Sequence, residues 1–185
     1  MKTKSIAYVS VLSALALAVV LFVNFVLPAS FVPLAFVSAI GLVTFYLCGW
    51  GGGIAFVFVV GILTFVFTGL NYTFFTLTIL FIPYIIYAYA IRNLNYTKSK
   101  KLAIIRILIT LVFFYLTSIA TILVLYYLIG GTSESALKLS NIILKVGIYI
   151  APLVYSLVAL PMDFFISLLT IVAVDRINKQ TKSKK

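Results

Sequence analysis

Long apolar runs, separated by brief polar interruptions, fill almost the whole chain. A helix needs about 20 mostly apolar residues to cross a bilayer. Residues 6–27 form the first such run and close at Pro28; residues 31–47 form the second. The glycine-rich stretch 49–53 (GWGGG) then predicts a tight interhelical turn. A third span covers residues 54–70, Asn71 and Tyr72 mark another turn, and a fourth span covers 74–91. Residues 92–101 are the first strongly polar segment. The fifth span, 102–129, is long enough to require tilt. The stretch 130–140 (GGTSESALKLS) reads as a polar loop. Residues 141–174 are mostly apolar but too many for one ordinary span, and Pro152 and Pro161 lie within them. Proline removes a backbone donor and clashes with the preceding turn, so both predict breaks. The expected arrangement is a partly helical, partly re-entrant outer segment at 141–159 and a sixth span at 160–177.

Composition changes this picture only by enforcing it. Of the 185 residues, 64% are hydrophobic and 9% are charged. Soluble domains carry roughly a quarter charged residues, so lipid is the solvent for most of this surface. The fold class expected is an all-α integral membrane protein, a single six-helix bundle over residues 1–185 with no room for a second domain.

Charge sets the orientation. The net charge is +11, and the basic residues collect at run ends rather than on a folded polar face. With the N-terminus inside, Lys2, Lys4, Arg92, Lys98, Lys100, Lys101, Arg106, Arg176, Lys179, Lys182, Lys184 and Lys185 fall on the cytoplasmic side, and Lys138 and Lys145 fall outside. That bias predicts an even number of crossings, both termini in the cytoplasm, and residence in the cell membrane. Short basic runs beside spans suit anionic lipid headgroups, which argues for membrane lipid and against nucleic acid as their partner. The N-terminal apolar run exceeds the length of a signal-peptide core, and more membrane follows it, so it reads as a span.

Candidate chemistry is sparse. Cys48 is the single cysteine and there is no histidine, which removes internal disulfides, cysteine-based metal sites and the commonest general base. The acidic residues are Glu134, Asp163 and Asp175. Glu134 falls in a polar loop, and Asp175, beside Arg176, reads as a solvated helix end. Asp163 stands in the apolar sequence LPMDFF. A carboxylate there is a functional-site candidate; it equally fits an N-cap on a helix starting at Pro161. No carboxylate pair is placed for acid–base work, and the 49–53 glycines lack the Lys and Ser/Thr of a phosphate loop. These absences argue against an enzyme, and they suggest neither cofactor nor metal.

Two further patterns concern binding. In the first span Ala7, Ser10, Ala14 and Ala18 share one face, and Ala16 lies on another. Ala14-x-x-x-Ala18 lets a second helix approach closely, either inside the bundle or on a separate membrane partner. In the six-span topology Asn24, Asn71, Tyr72, Asn141, Lys145, Tyr149 and Asp163 all fall at the outer end. An interfacial aromatic belt accounts for the tyrosines; Asn, Lys and Asp converging on one end suit a small-molecule pocket. With one Asp and one Lys, a neutral or zwitterionic, partly aromatic solute fits better than a polyanion.

Taken in order, these features resemble the substrate-binding S components of energy-coupling factor (ECF) vitamin transporters. The resemblance covers nearly the whole chain. It rests on the length, six spans with both termini inside, Ala14 and Ala18, the GWGGG turn leading to Gly61, and the closing pattern from LPMD at 160–163 to VDRINK at 174–179. It implies a membrane subunit that captures a vitamin or similar micronutrient from outside. Such a subunit delivers it through a transmembrane coupling protein driven by two ATPase subunits. Ala14 and Ala18 would face the coupling protein. Riboflavin-type members begin the last helix with Pro-x-Asn followed shortly by Lys. Asp163 stands at the Asn position here, and Ile166 or Ser167 where Lys would be, which argues against riboflavin. The alternative is a structural membrane protein such as the MreD-like component of a cell-shape complex, which needs no small ligand.

Overall fold

The structure is a computed structural model describing residues 3–26, 31–94, 99–124 and 150–183. Among these residues it is all helical. Five helices are long and apolar enough to cross a membrane: α1 (Thr3–Val26), α2 (Phe31–Thr68), α3 (Tyr72–Ala90), α4 (Lys100–Val124) and α5 (Ile150–Ser183).

Helix α2 is broken at Gly49, whose φ of 69° and ψ of −170° are non-helical. Glycine reaches that left-handed φ without the Cβ clash other residues meet. In a straight helix Gly41 and Phe56 would lie about 22 Å apart. Instead, a Cβ at Gly41 would sit 3.0 Å from the Phe56 ring, and a methyl at Gly53 would overlap the Phe45 ring. The two arms of α2, residues 31–48 and 50–68, therefore double back on one another. Only Gly49 leaves helical geometry; the turn expected over 49–53 is one residue wide. Gly41 is also where α3 joins, since its Cβ would lie 2.7 Å from Ile85 Cδ1.

The bundle has two distinguishable ends. At one, the Asn71 amide donates to Asn24 Oδ1 at 2.5 Å, linking the end of α1 to the start of α3. Asn71 also caps α3, its Oδ1 accepting from Phe74 N. At the other end lie Gly49, Cys48 beside the Ser5 carbonyl, and the turn 91–94 that leaves α3. Within α3, residues Leu77–Phe81 form a π-helical segment before Pro83.

Inside and outside are nearly equally apolar, as lipid solvent permits. Val11, Phe25, Phe58, Val66, Leu108, Val112 and Val158 point outward, while Phe45, Phe56, Leu77, Tyr84, Ile85 and Phe114 fill the core. The interior is in fact where polar residues collect. Buried stripes run Val9, Ser13, Ala16, Val20, Val23 on α1 and Arg106, Thr110, Phe114, Ser118, Thr121 on α4. Several buried hydroxyls are satisfied within their own helices: Thr44 donates to the Ile40 carbonyl, Thr121 to that of Thr117 and Thr170 to that of Ile166. This back-bonding is how a hydroxyl survives without water.

The expected break at Pro161 is corrected by α5, which runs unbroken from Ile150 to Ser183 with Pro161 inside it. The span does not begin at residue 160, and residues 150–159 belong to the same helix; 141–149 lie outside the described residues. Pro152, Ser156, Ala159, Asp163, Ile166 and Thr170 form one buried stripe that passes straight through Pro161. Packing along the whole stripe outweighs the single ladder bond proline forfeits, and such prolines are tolerated in membrane helices.

Candidate functional site

Helix α4 runs antiparallel to α5, bringing Arg106 to Asp163 and Phe114 to Tyr155. Arg106 is 4% exposed and Asp163 fully buried. The guanidinium grips the carboxylate with two bonds: Nε to Oδ2 at 3.0 Å and Nη2 to Oδ1 at 2.9 Å. This bidentate form is the strongest geometry for such a pair. Tyr84 of α3 donates its hydroxyl to Asp163 Oδ1 at 2.7 Å. Arg106 Nη2 also donates to Ser167 Oγ, one turn beyond Asp163, and Nη1 donates to the Leu94 carbonyl at 3.2 Å. Three helices and the turn after α3 are thus held by one charge pair. In a low-dielectric interior each partner would be costly alone, so this cluster marks a site under strong constraint.

Aromatic rings insulate it. Tyr84 stacks on Phe114 at 5.3 Å, and Tyr87 stacks on Phe113 at 4.2 Å while hydrogen-bonding Thr110 at 2.9 Å. Towards the Gly49 end, Phe45, Tyr46 and Trp50 surround Tyr89 at 4.9, 5.6 and 5.1 Å. Arg92 lies over the outer face of Tyr89, its guanidinium carbon 4.2 Å from the ring centroid and its Nη1 donating to the Tyr89 carbonyl. This is the composition of a membrane–water interface, with aromatic bodies and a cation at the rim.

The expectation for Asp163 is corrected on two counts. It is a mid-helix residue, not an N-cap at a helix start. It also lies towards the end of the bundle that carries Arg92 and Leu94, away from Asn24 and Asn71, so it does not join the outer polar group. The reason is the continuation of α5 through Pro161, which starts the helix about three turns earlier and carries Asp163 down to Arg106. Asn24 and Asn71 do meet, and Tyr72 follows directly at the start of α3. Asn141, Lys145 and Tyr149 lie outside the described residues.

Arg106, Tyr84 and Ser167 are not singled out by the sequence reading. Arg106 had a usable signal: an arginine four residues past the start of the 102–129 run needs a carboxylate partner, and Asp163 is the one acid in the middle of another apolar stretch.

Ala7, Ser10, Ala14 and Ala18 are all exposed on α1, while Ala16 on the opposite side is fully buried. The small-residue face therefore packs against no described part of the bundle. Among the described residues no three or more of His, Cys, Asp and Glu come together as metal ligands. No protein-family model, curated protein or solved structure matches the chain.

Proposed function

We propose that the protein is a solute-capturing membrane subunit of the ECF type, six crossings with both termini cytoplasmic, that docks to a transmembrane coupling protein through α1. The observation carrying this reading is that Ala7, Ser10, Ala14 and Ala18 are exposed on one face of α1, with no described part of the bundle packed against them. Packing within the bundle would have buried it. Left towards lipid, a strip of small side chains offers a shallow groove for a partner helix at close approach. The doubling back of α2 at Gly49 supports counting its two arms as separate crossings. The distribution of Lys and Arg supports cytoplasmic ends. Solute would enter at the Asn24–Asn71 end, near Tyr72; Asn141, Lys145 and Tyr149, expected from the sequence at the same end, lie outside the described residues. Movement across the membrane would draw on ATP hydrolysis by two partner ATPases, with no catalysis by this chain.

The test is co-purification with a coupling protein and its ATPases. An Ala14→Trp/Ala18→Trp variant should lose the complex while keeping its own thermal stability. Undiminished association would overturn the docking face. A structural role in a cell-shape complex would use the same face without a ligand. Native mass spectrometry separates the two, since one retained small molecule per chain favours solute capture.

A further inference from the structure

A small cavity adjoins the buried ion pair on the side of the 91–94 turn. Arg92, Arg106, Tyr46, Ser167 and Thr170 line it, with Leu42, Ala88 and Ile171 completing the wall. Its space is about 20 Å³, enough for one water-sized atom, and its mouth is partly open beside the half-buried Arg92. Among the described residues that line it or pair with its lining, the charge is unbalanced. Two guanidiniums face one carboxylate, and Asp163 is already gripped by Arg106. Arg92 has a carbonyl and an aromatic face as its partners among the described residues, with no carboxylate within ion-pair distance.

We propose that this cavity binds an anionic lipid headgroup, taking one phosphate oxygen into the water-sized space while the rest of the phosphate stays in the mouth beside Arg92. The size of the space selects a single oxygen rather than a whole anion. The location selects lipid. Arg106 lies six residues into α4, about 9 Å from Lys100, and Arg92 sits in the turn beyond α3. With α3 and α4 read as spanning helices, the mouth falls near the level of the headgroup phosphates. Basic pockets between membrane helices at an interface are suited to this chemistry. Tyr46 and Ser167 add hydroxyls at the same wall. The site is separate from the outer polar group and does not depend on the ECF reading.

The experiment uses the full-length protein purified in a neutral detergent and titrated with phosphatidylglycerol, phosphatidylcholine or inorganic phosphate. Binding is followed by native mass spectrometry and by thermal unfolding. Phosphatidylglycerol should bind at one per chain and raise the unfolding temperature, with phosphatidylcholine far weaker. Arg92→Gln should weaken phosphatidylglycerol about five- to tenfold, the range for removing one cation from an interfacial anion. Lys101→Gln, an exposed cation at the same end, should change it less than twofold. Equal binding of both lipids overturns the proposal, as does an Arg92→Gln effect no larger than that of Lys101→Gln. Stabilisation by inorganic phosphate that matches phosphatidylglycerol and shares its dependence on Arg92 assigns the cavity to a free anion and overturns the lipid.

Discussion

Arg106 and Asp163, 57 positions apart in the chain, meet through two parallel hydrogen bonds of 3.0 and 2.9 Å between buried side chains. Breaking a buried pair from one side leaves an uncompensated charge, which costs about 3–5 kcal/mol; replacing both partners with apolar residues is often near neutral. Arg106→Met should therefore destabilise strongly, and Arg106→Met/Asp163→Leu should recover most of the loss. Thermal unfolding in detergent measures both. Additive losses in the double variant would mean the pair is not coupled.

Tyr84→Phe is expected to be milder. It removes one hydrogen bond to a charged group, about 1.5–3 kcal/mol, but keeps the ring stacked on Phe114 and the arginine on the carboxylate. Its unfolding temperature should fall between those of wild type and Arg106→Met.

The glycines around the α2 reversal should separate by position. Gly53→Ala drives a methyl into the Phe45 ring and should cost about 1–3 kcal/mol through overpacking. Gly51 has open space around its Cβ position and is helical, so Gly51→Ala should be neutral or gain about 0.5–1 kcal/mol. Gly49→Ala should cost about 1–3 kcal/mol, since its φ of 69° with ψ of −170° is a conformation essentially only glycine adopts. Unfolding temperatures for the three variants give the ranking.

Asn71 serves two bonds at once, and its variants should split them. Asn71→Ala loses both the cap on Phe74 and the bond to Asn24, about 1–2 kcal/mol. Asn71→Asp keeps the capping oxygen but has no amide to donate, and should lose less. Hydrogen exchange of the amides at 72–75 should quicken in Asn71→Ala and stay near wild type in Asn71→Asp.

The apolar runs, the reversal near Gly49 and the turn at Asn71 were all legible in the sequence, because each follows from a local rule about length, glycine or capping. The course of α5 was not. Proline is a strong local signal, but whether it breaks a helix depends on its surroundings. Yet Ser156, Asp163 and Thr170 recur every seven residues across Pro161, the spacing of one continuous helical face. In lipid the polar residues mark the inside, so this stripe carried the information that an apolar stripe carries in a soluble protein. The same inversion hid Arg106. By charge it belongs with the cytoplasmic cations, yet it sits in register with Thr110 and Ser118 on the buried face of α4. The outer group could be read only in part, since Asn24 and Asn71 meet across 47 residues through the packing of α1 against α3.

The π-helical segment at Leu77–Phe81 adds a residue to one turn of α3. One residue is about 100° of helical rotation, so everything after it is rephased relative to Thr73 and Thr76. Tyr84 and Ile85 face inward under that rephasing, and the hydroxyl bond to Asp163 depends on it. The third hydrogen bond on the buried carboxylate is thus encoded as a residue count as well as a residue type. Shortening the chain by one position within this segment would swing Tyr84 out of the core with every side chain's identity intact.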